Sequence, residues 1–418
     1  MVKPRSEAPA PVQELPRFTR AERERRWSRV RHLMARDGLD VIVAPGNSGA
    51  WEHLNANARY LVGVGGNCSP VVAVFPLDGE VTAIVGSVPG SVFWLGAQDW
   101  VTDVRDPAGF YALYDAVGER LRELPAAAQR GRVGIAGLAG LPRFPEGVVA
   151  HGAYEALRRA LPDADLVNAT ALLEEARFVK SAEEIGFLTE AVRIVEQGID
   201  VLAREARPGV PERVVYARVL ARLIEAGSEI PTFLSWQAGW PQRQLNHFQP
   251  TGRPLRAGDV ISTEIEASVI GYRGQVTQPF VLGAVPERYR EMMRIHAAVL
   301  ERCYAALVPG ATPASLAEIA RDVAAAPYTC RIVIHGRGLG DDPPLLVFRS
   351  QTGSPRHRRM SDWCLAEDAV LMVKPYVFLG DPHRDFIEDS VGWGDTVVVT
   401  GAGARRLGTR EPGIVEIG

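Results

Sequence analysis

Near Ala169 the chain changes texture, and that change constrains the fold more than any other feature of its 418 residues. Before it, helical and strand-like runs alternate. Arg20 to Ala35 sets Trp27, Val30 and Met34 on one apolar helical face, Gly38 stops that helix, and LDVIVAPG follows as a buried strand. PVVAVFPLDGEVTAIVG reads as a hairpin, VTDVRD and RVGIAG as further strands, and Ala112 to Glu123 and Gly147 to Leu161 as helices. The alternation describes an α/β domain over 19–168, behind a polar, proline-rich lead over 1–18 expected to be disordered. From 169 to 418 the order is different. A long helical stretch, Leu172 to Ala206, meets PGVPE, and a second helix runs from Val214 to Ala226. Strand-like runs follow: DVISTEIEASVI, QVTQPFVLGA, RIVIHGRGLG, AVLMVKPYVFLG and DTVVVTGAG. A helical pair, Glu287 to Ala306 and Pro313 to Ala325, separates them. Helices first and long strands after describe an α+β domain with an antiparallel sheet.

Charge and composition narrow the function. A formal charge of −3 argues against nucleic acid or an anionic membrane as the main partner. Cys68, Cys303, Cys330 and Cys364 are too scattered for a CxxC motif and too few for a disulfide scaffold, which points to a reducing cytoplasm. No run reaches the roughly 18 apolar residues of a membrane span, and the N-terminus carries no apolar export signal. The expectation is a soluble cytoplasmic protein. Only three of the 47 basic residues are lysines, Lys3, Lys180 and Lys374, so a lysine at a chemical position carries information.

Among eight histidines, His32 lies in the first helix, and His53, His151, His296, His357 and His383 stand in no polar constellation and read as surface or capping residues. His247, in QLNHFQPTGRPLRAGD, precedes a strand, and His335, in IHGRGLG, ends one at a glycine-rich turn.

RFVKSAEEI, the segment through His247, AGDVISTEIEASVIGYRGQVTQPFVLG, IHGRGLGDDPP, VKPYVF and DTVVVTGAGARRL, in this order, resemble the pita-bread fold of the peptidase M24 family. That family holds aminopeptidase P, prolidase, methionine aminopeptidase and creatinase. RHLMARDGLDVIVAPG and NARYLVGVGG are similar to the smaller creatinase-like domain that precedes the catalytic one, so the resemblance covers nearly the whole chain. It implies an α+β protein with a C-terminal pita-bread catalytic domain behind a smaller N-terminal α/β domain, a small-molecule substrate and a homodimer.

In the metallopeptidase members two aspartates, a histidine and two glutamates hold two divalent ions that activate a water. Carried over, these fall on Glu264, Gln275, His335, Lys374 and Gly394. One ligand is kept, one is a longer acid and three are gone, so no metal and no cofactor is expected unless Glu388, Asp389 or Asp395 serves instead. Creatinase, a metal-free member, uses the histidine corresponding to His247 as acid/base, and ectoine hydrolase resembles this chain in a glutamate at Glu264. Both point to the metal-free branch. Neither resemblance implies a lysine at the position of Lys374, so the substrate cannot be copied from either.

An imidazole suits proton transfer near neutrality, and Glu264 would act as nucleophile or cation anchor. Lys374 would pair with Glu264, stabilise an oxyanion or, desolvated, act as a base; the alternative is a Lys–Glu pair that only plugs the old metal site. His335 is a second acid/base or a donor to substrate. Tyr272, Gln275 and Thr277 are expected to line the pocket, Arg337 and Arg349 to bind a substrate carboxylate, and Asp342 to stand where peptidases carry a second histidine. Phe233, Trp236 and Trp240 are candidates for an apolar wall. The reading is a metal-independent hydrolase of a C–N bond in a small polar molecule: an amidino acid, cyclic amidine or amide. A metal-free lyase, an Xaa-Pro metallopeptidase and a non-catalytic ligand-binding pseudoenzyme are the alternatives.

Overall fold

The computed structural model describes residues 15–46, 55–65, 70–86, 88–107, 112–140, 144–230, 234–239, 249–320, 327–340, 342–349, 363–380 and 389–418. The chain forms two compact units, Met1–Phe178 and Val179–Gly418.

In the first unit the elements are α1 (Arg20–Asp37), β1 (Val41–Pro45), α2 (Ala56–Val62), β2 (Val71–Pro76), β3 (Thr82–Val85), α3 (Val88–Ala97), β4 (Asp103–Arg105), α4 (Leu113–Arg122), α5 (Ala126–Gln129), β5 (Arg132–Ile135), α6 (His151–Ala160), β6 (Asp165–Asn168) and α7 (Thr170–Phe178). Six strands form one mixed sheet in the order β4-β3-β2-β1-β5-β6. The β2 and β3 segments pair antiparallel as the hairpin pattern predicts, β1 adds antiparallel to β2, and β1, β5 and β6 run parallel. Val41, Val43, Val72, Val74 and Ile84 meet Val117, Leu121 and Leu157 of the covering helices in its core.

The unit boundary falls ten residues beyond the change of texture. Leu172, Leu173 and Ala176 of α7 are buried, and the Ala176 carbonyl accepts from Tyr60 Oη at 3.0 Å, tying α7 to the first unit. The expected single helix from Leu172 to Ala206 is two. Val179 makes a β-bridge to Ala369, and Ser181 opens a new helix with a capping box to Glu184.

The second unit begins with α8 (Ala182–Glu205) and α9 (Glu212–Glu225), followed by β7 (Leu234–Gly239), β8 (Val260–Val269), β9 (Tyr272–Leu282), α10 (Glu287–Ala306), α11 (Pro313–Ala317), β10 (Tyr328–Gly336), β11 (Leu345–Arg349), β12 (Val370–Leu379), β13 (Ser390–Gly392), β14 (Asp395–Thr400), β15 (Gly403–Arg406) and β16 (Val415–Ile417). They build two sheets, β16-β9-β8-β7 and β11-β10-β12-β14-β15, with β13 on β12. Apart from parallel β16 on β9, the pairs are antiparallel. The sheets are stitched where Thr277 N donates to Gly394 O at 3.1 Å and Gly394 N to Thr277 O at 3.2 Å. Thr396 Oγ1 adds a second stitch, accepting from Gln275 N at 3.0 Å and donating to Gln275 O at 2.8 Å. This seam carries the candidate site.

Candidate active site

Strand alternation decides which side chains meet at the seam. In the β8–β9 ladder Glu264 lies opposite Thr277 and Glu266 opposite Gln275, so all four share one face. In the β10–β12 ladder His335 lies opposite Met372, which puts His335 on the same face as Lys374 and Tyr376.

Three donors converge on Glu264. Lys374 Nζ lies 3.1 Å from Oε2, Tyr376 Oη donates to Oε1 at 2.7 Å, and Gln275 Nε2 reaches Oε2 at 3.3 Å. The Glu264 side chain is 22% exposed and that of Lys374 7%, so the pair faces outward from a nearly dry floor. Burial, then the adjacent Glu264 charge, push the Tyr376 phenol well above its ordinary pKa, leaving it a neutral donor. Below this layer Glu266 accepts from Gln275 Nε2 at 2.8 Å and lies 3.1 Å from Arg337 Nη2 and 3.4 Å from Arg273 Nη1. His335 is buried, with Nδ1 3.3 Å from the Gly336 carbonyl.

Two glycines make room for this arrangement. A Cβ at Gly392 would stand 2.4 Å from the Tyr376 ring. At Gly394 a Cβ would stand 2.5 Å from Val373 O and 2.7 Å from Thr277 Oγ1.

The five positions implied by the resemblance can now be tested against a dimetal centre. Positions 264, 275, 374 and 394 do come together. Their chemistry does not fit, because an ammonium would repel a cation beside Glu264 and no side chain fits at 394 without moving backbone. Among the described residues no group of three His, Cys, Asp or Glu side chains has metal-holding spacing. The substitute acids lie elsewhere. Asp389 is held by Arg288 at 3.0 Å and by the Tyr289 hydroxyl at 3.2 Å. Asp395 pairs with Val373 in the ladder, which turns it to the face opposite Lys374, toward Arg406 and Arg410, each 3.9 Å away. Glu388 lies outside the described residues.

Several expected pocket residues are placed elsewhere by the same alternation. Tyr272 is on the opposite face of β9 from Gln275, where its hydroxyl donates to Glu184 at 2.6 Å. Trp236 is not in a loop but in β7, opposite Thr263, and packs edge-on against Tyr216 of α9 at 6.2 Å. Asp342 is buried and paired with Lys180 at 3.1 Å rather than open to a ligand. Arg337 is fully buried on Glu266 and the Arg273 carbonyl, one layer below the site. His247, Phe233, Trp240 and the side chain of Arg349 lie outside the described residues.

Three contributors were missed in the sequence. Tyr376 and Glu266 each stand two residues from a predicted site residue on the same strand, the signal that could have found them. The third, His296 of α10, is no surface histidine. It is completely buried, with Nε2 within 3.0 Å of the carbonyl oxygens of Pro375 and Trp393 and 3.1 Å from the Trp393 N–H. It thus braces the residues beside Lys374 and Gly394. Burial lowers its pKa to about 4, so the ring is neutral.

Two family profiles match the chain: Metallopeptidase family M24 over residues 186–401, and the Creatinase/Prolidase N-terminal domain over 26–179. The chain belongs to the M24 metallopeptidase family, with the creatinase-type domain in front. Curated relatives include an Xaa-Pro dipeptidase of Pyrococcus furiosus, 26% identical over 56% of this chain and 64% of its own length. That match spans just under two thirds of the relative. A creatinase of a Bacillus species is 25% identical over 71% of this chain and 69% of its own. An X-Pro aminopeptidase structure from Thermotoga maritima superposes with a TM-score of 0.73 at 19% identity, covering 93% of this chain and 100% of that one. It supports the two-domain α+β architecture.

Proposed function

We propose that the chain hydrolyses a C–N bond of a small polar molecule without a metal ion, as a creatinase-like or ectoine-hydrolase-like member of its family. The observation that carries this reading is the Lys374 ammonium 3.1 Å from Glu264, with Gln275 and Gly394 completing the cluster. Electrostatics make it self-consistent. Two aspartates and two glutamates balance two divalent ions, whereas here one carboxylate at those positions is balanced by one ammonium.

In this reading the pair replaces the metals as the fixed charge of the site. Glu264 already takes three donors, which favours its anchoring the Lys374 cation over nucleophilic attack. The Lys374 ammonium, with three N–H bonds of which one meets Glu264, is positioned to donate to an oxygen that gains negative charge as water adds to the scissile carbon, while the Tyr376 hydroxyl fixes Glu264. His247 takes the proton from that water and passes it to the leaving nitrogen. The partners are a small-molecule substrate and a second copy of the chain, in the cytoplasm.

His247→Ala should lower turnover about a hundredfold or more with the fold intact; unchanged turnover would remove His247 from the mechanism. Substrates are found by screening amidino acids, cyclic amidines, N-alkyl amino acids and Xaa-Pro peptides with and without chelator. Solvent oxygen-18 in the product is expected, and its absence would favour the lyase. Saturable binding without turnover across the screen would favour the pseudoenzyme. A second reading, Xaa-Pro cleavage by a dimetal centre, draws on the names of the relatives. Two tightly bound divalent ions per purified chain, with chelator-sensitive peptide cleavage, would establish it over the first.

A further inference from the structure

Gln275 Oε1 and Thr277 Oγ1 have no hydrogen-bond partner among the described residues, although both residues are only 3% exposed. Buried polar side-chain atoms left unpaired are uncommon, and two on one strand face beside a candidate catalytic pair suggest a ligand. Their orientation is set by the protein. The Gln275 amide nitrogen lies against Glu266 at 2.8 Å and Glu264 at 3.3 Å, and turning the amide over would press its oxygen on two carboxylates. Glu266 is itself held by Arg337 and Arg273, so it acts as a positioning residue that keeps the Gln275 oxygen outward as an acceptor. Thr277 Oγ1 borders the space at Gly394.

We infer that Gln275 Oε1 and Thr277 Oγ1 form an acceptor pair for the N–H bonds of a neutral planar group of the substrate, a carboxamide or ureido group. The inference rests on this cluster being the substrate site of the hydrolase proposed above, and it narrows that substrate's chemistry. Two acceptors about 7 Å apart at their Cβ atoms suit a group with two N–H bonds. Charge selects against a cation. Around the pair, the carboxylates of Glu264 and Glu266 meet the cations of Lys374, Arg273 and Arg337, one positive charge in excess. An amidinium or guanidinium would enter against that excess, and a carboxylate could accept from the Thr277 hydroxyl only by setting its other oxygen against Gln275 Oε1.

The test uses the full chain and three isosteric probes, acetamide, acetamidinium and acetate, with N-methylurea as the ureido analogue, titrated by ligand-observed NMR. Acetamide and N-methylurea are expected to bind saturably and more tightly than either ion. Thr277→Val should weaken acetamide about tenfold, Thr277→Ser should retain it, and Gln275→Met should weaken it similarly. Tighter binding of acetamidinium, no saturable acetamide binding, or an acetamide affinity unmoved in both Thr277→Val and Gln275→Met would overturn the inference. The serine variant separates loss of the hydroxyl from loss of the fold. Because binding is read without turnover, failure of the hydrolase reading, seen as a missing oxygen-18 label or an unchanged turnover in His247→Ala, leaves this result separately legible.

Discussion

At the scale of single residues, one substitution pattern explains most of the site. Lys374 stands out in a chain with only three lysines, and the structure pairs it with Glu264. Lys374→Met should lower turnover about a hundredfold or more, and Tyr376→Phe about tenfold or more, both read as kcat on whichever substrate the screen yields. Tyr376→Phe should leave the urea unfolding midpoint nearly unchanged, because its ring still packs on Phe378 at 6.2 Å. Equal losses of activity and stability would instead mark Tyr376 as a packing residue. Glu264, Gln275 and Lys374 were legible because each departs from a ligand pattern at a known spacing. Tyr272 and Trp236 were misplaced because proximity in sequence was taken for proximity in space, whereas a strand sends neighbouring side chains to opposite faces. Asp342 could not be judged without Lys180, which is 162 positions away and buried against it.

Elements set the geometry that these residues use. His296 was read as a surface or capping residue, although its burial was legible from its helical spacing with Tyr289, Met292, Val299, Leu300 and Cys303, the buried face of α10. Its partners were not, because no helical period reveals which strand carbonyls lie opposite. His296→Ala removes a buried ring nitrogen that, according to its tautomer, either accepts from the Trp393 N–H or donates to the Pro375 carbonyl, and should cost about 2–4 kcal/mol in urea unfolding. Turnover should fall further than stability explains, since Pro375 adjoins Lys374. The break between α7 and α8 was written in the sequence as Ser181 and Glu184, a capping box inside a stretch of good helix formers. Ser181→Ala should cost about 1 kcal/mol by the same measurement.

For the whole molecule, the change of texture near Ala169 announced two architectures. Their order was legible because periodicity survives without coordinates; the joining of two sheets along Thr277 and Gly394 was not, because backbone contacts between distant strands leave no period. Stability should carry the mark of Asp395, whose carboxyl burial raises to about 6 from 3.8. Between those values the folded chain holds a proton that the unfolded chain has released, so this residue's contribution falls as pH rises. Relative to Asp395→Asn, the wild-type protein should lose up to about 3 kcal/mol between pH 4 and pH 7, measured by urea unfolding across that range. The proposed homodimer predicts a solution mass twice 45.5 kDa by light scattering. Gly394 also limits what the site can be turned into. With a backbone carbonyl 2.5 Å from where its Cβ would stand, an acid at that position requires the strand to shift first. Acids placed at 275 and 374 would therefore not by themselves assemble a five-ligand centre: the seam closes that route by backbone geometry, whatever the side chains around it.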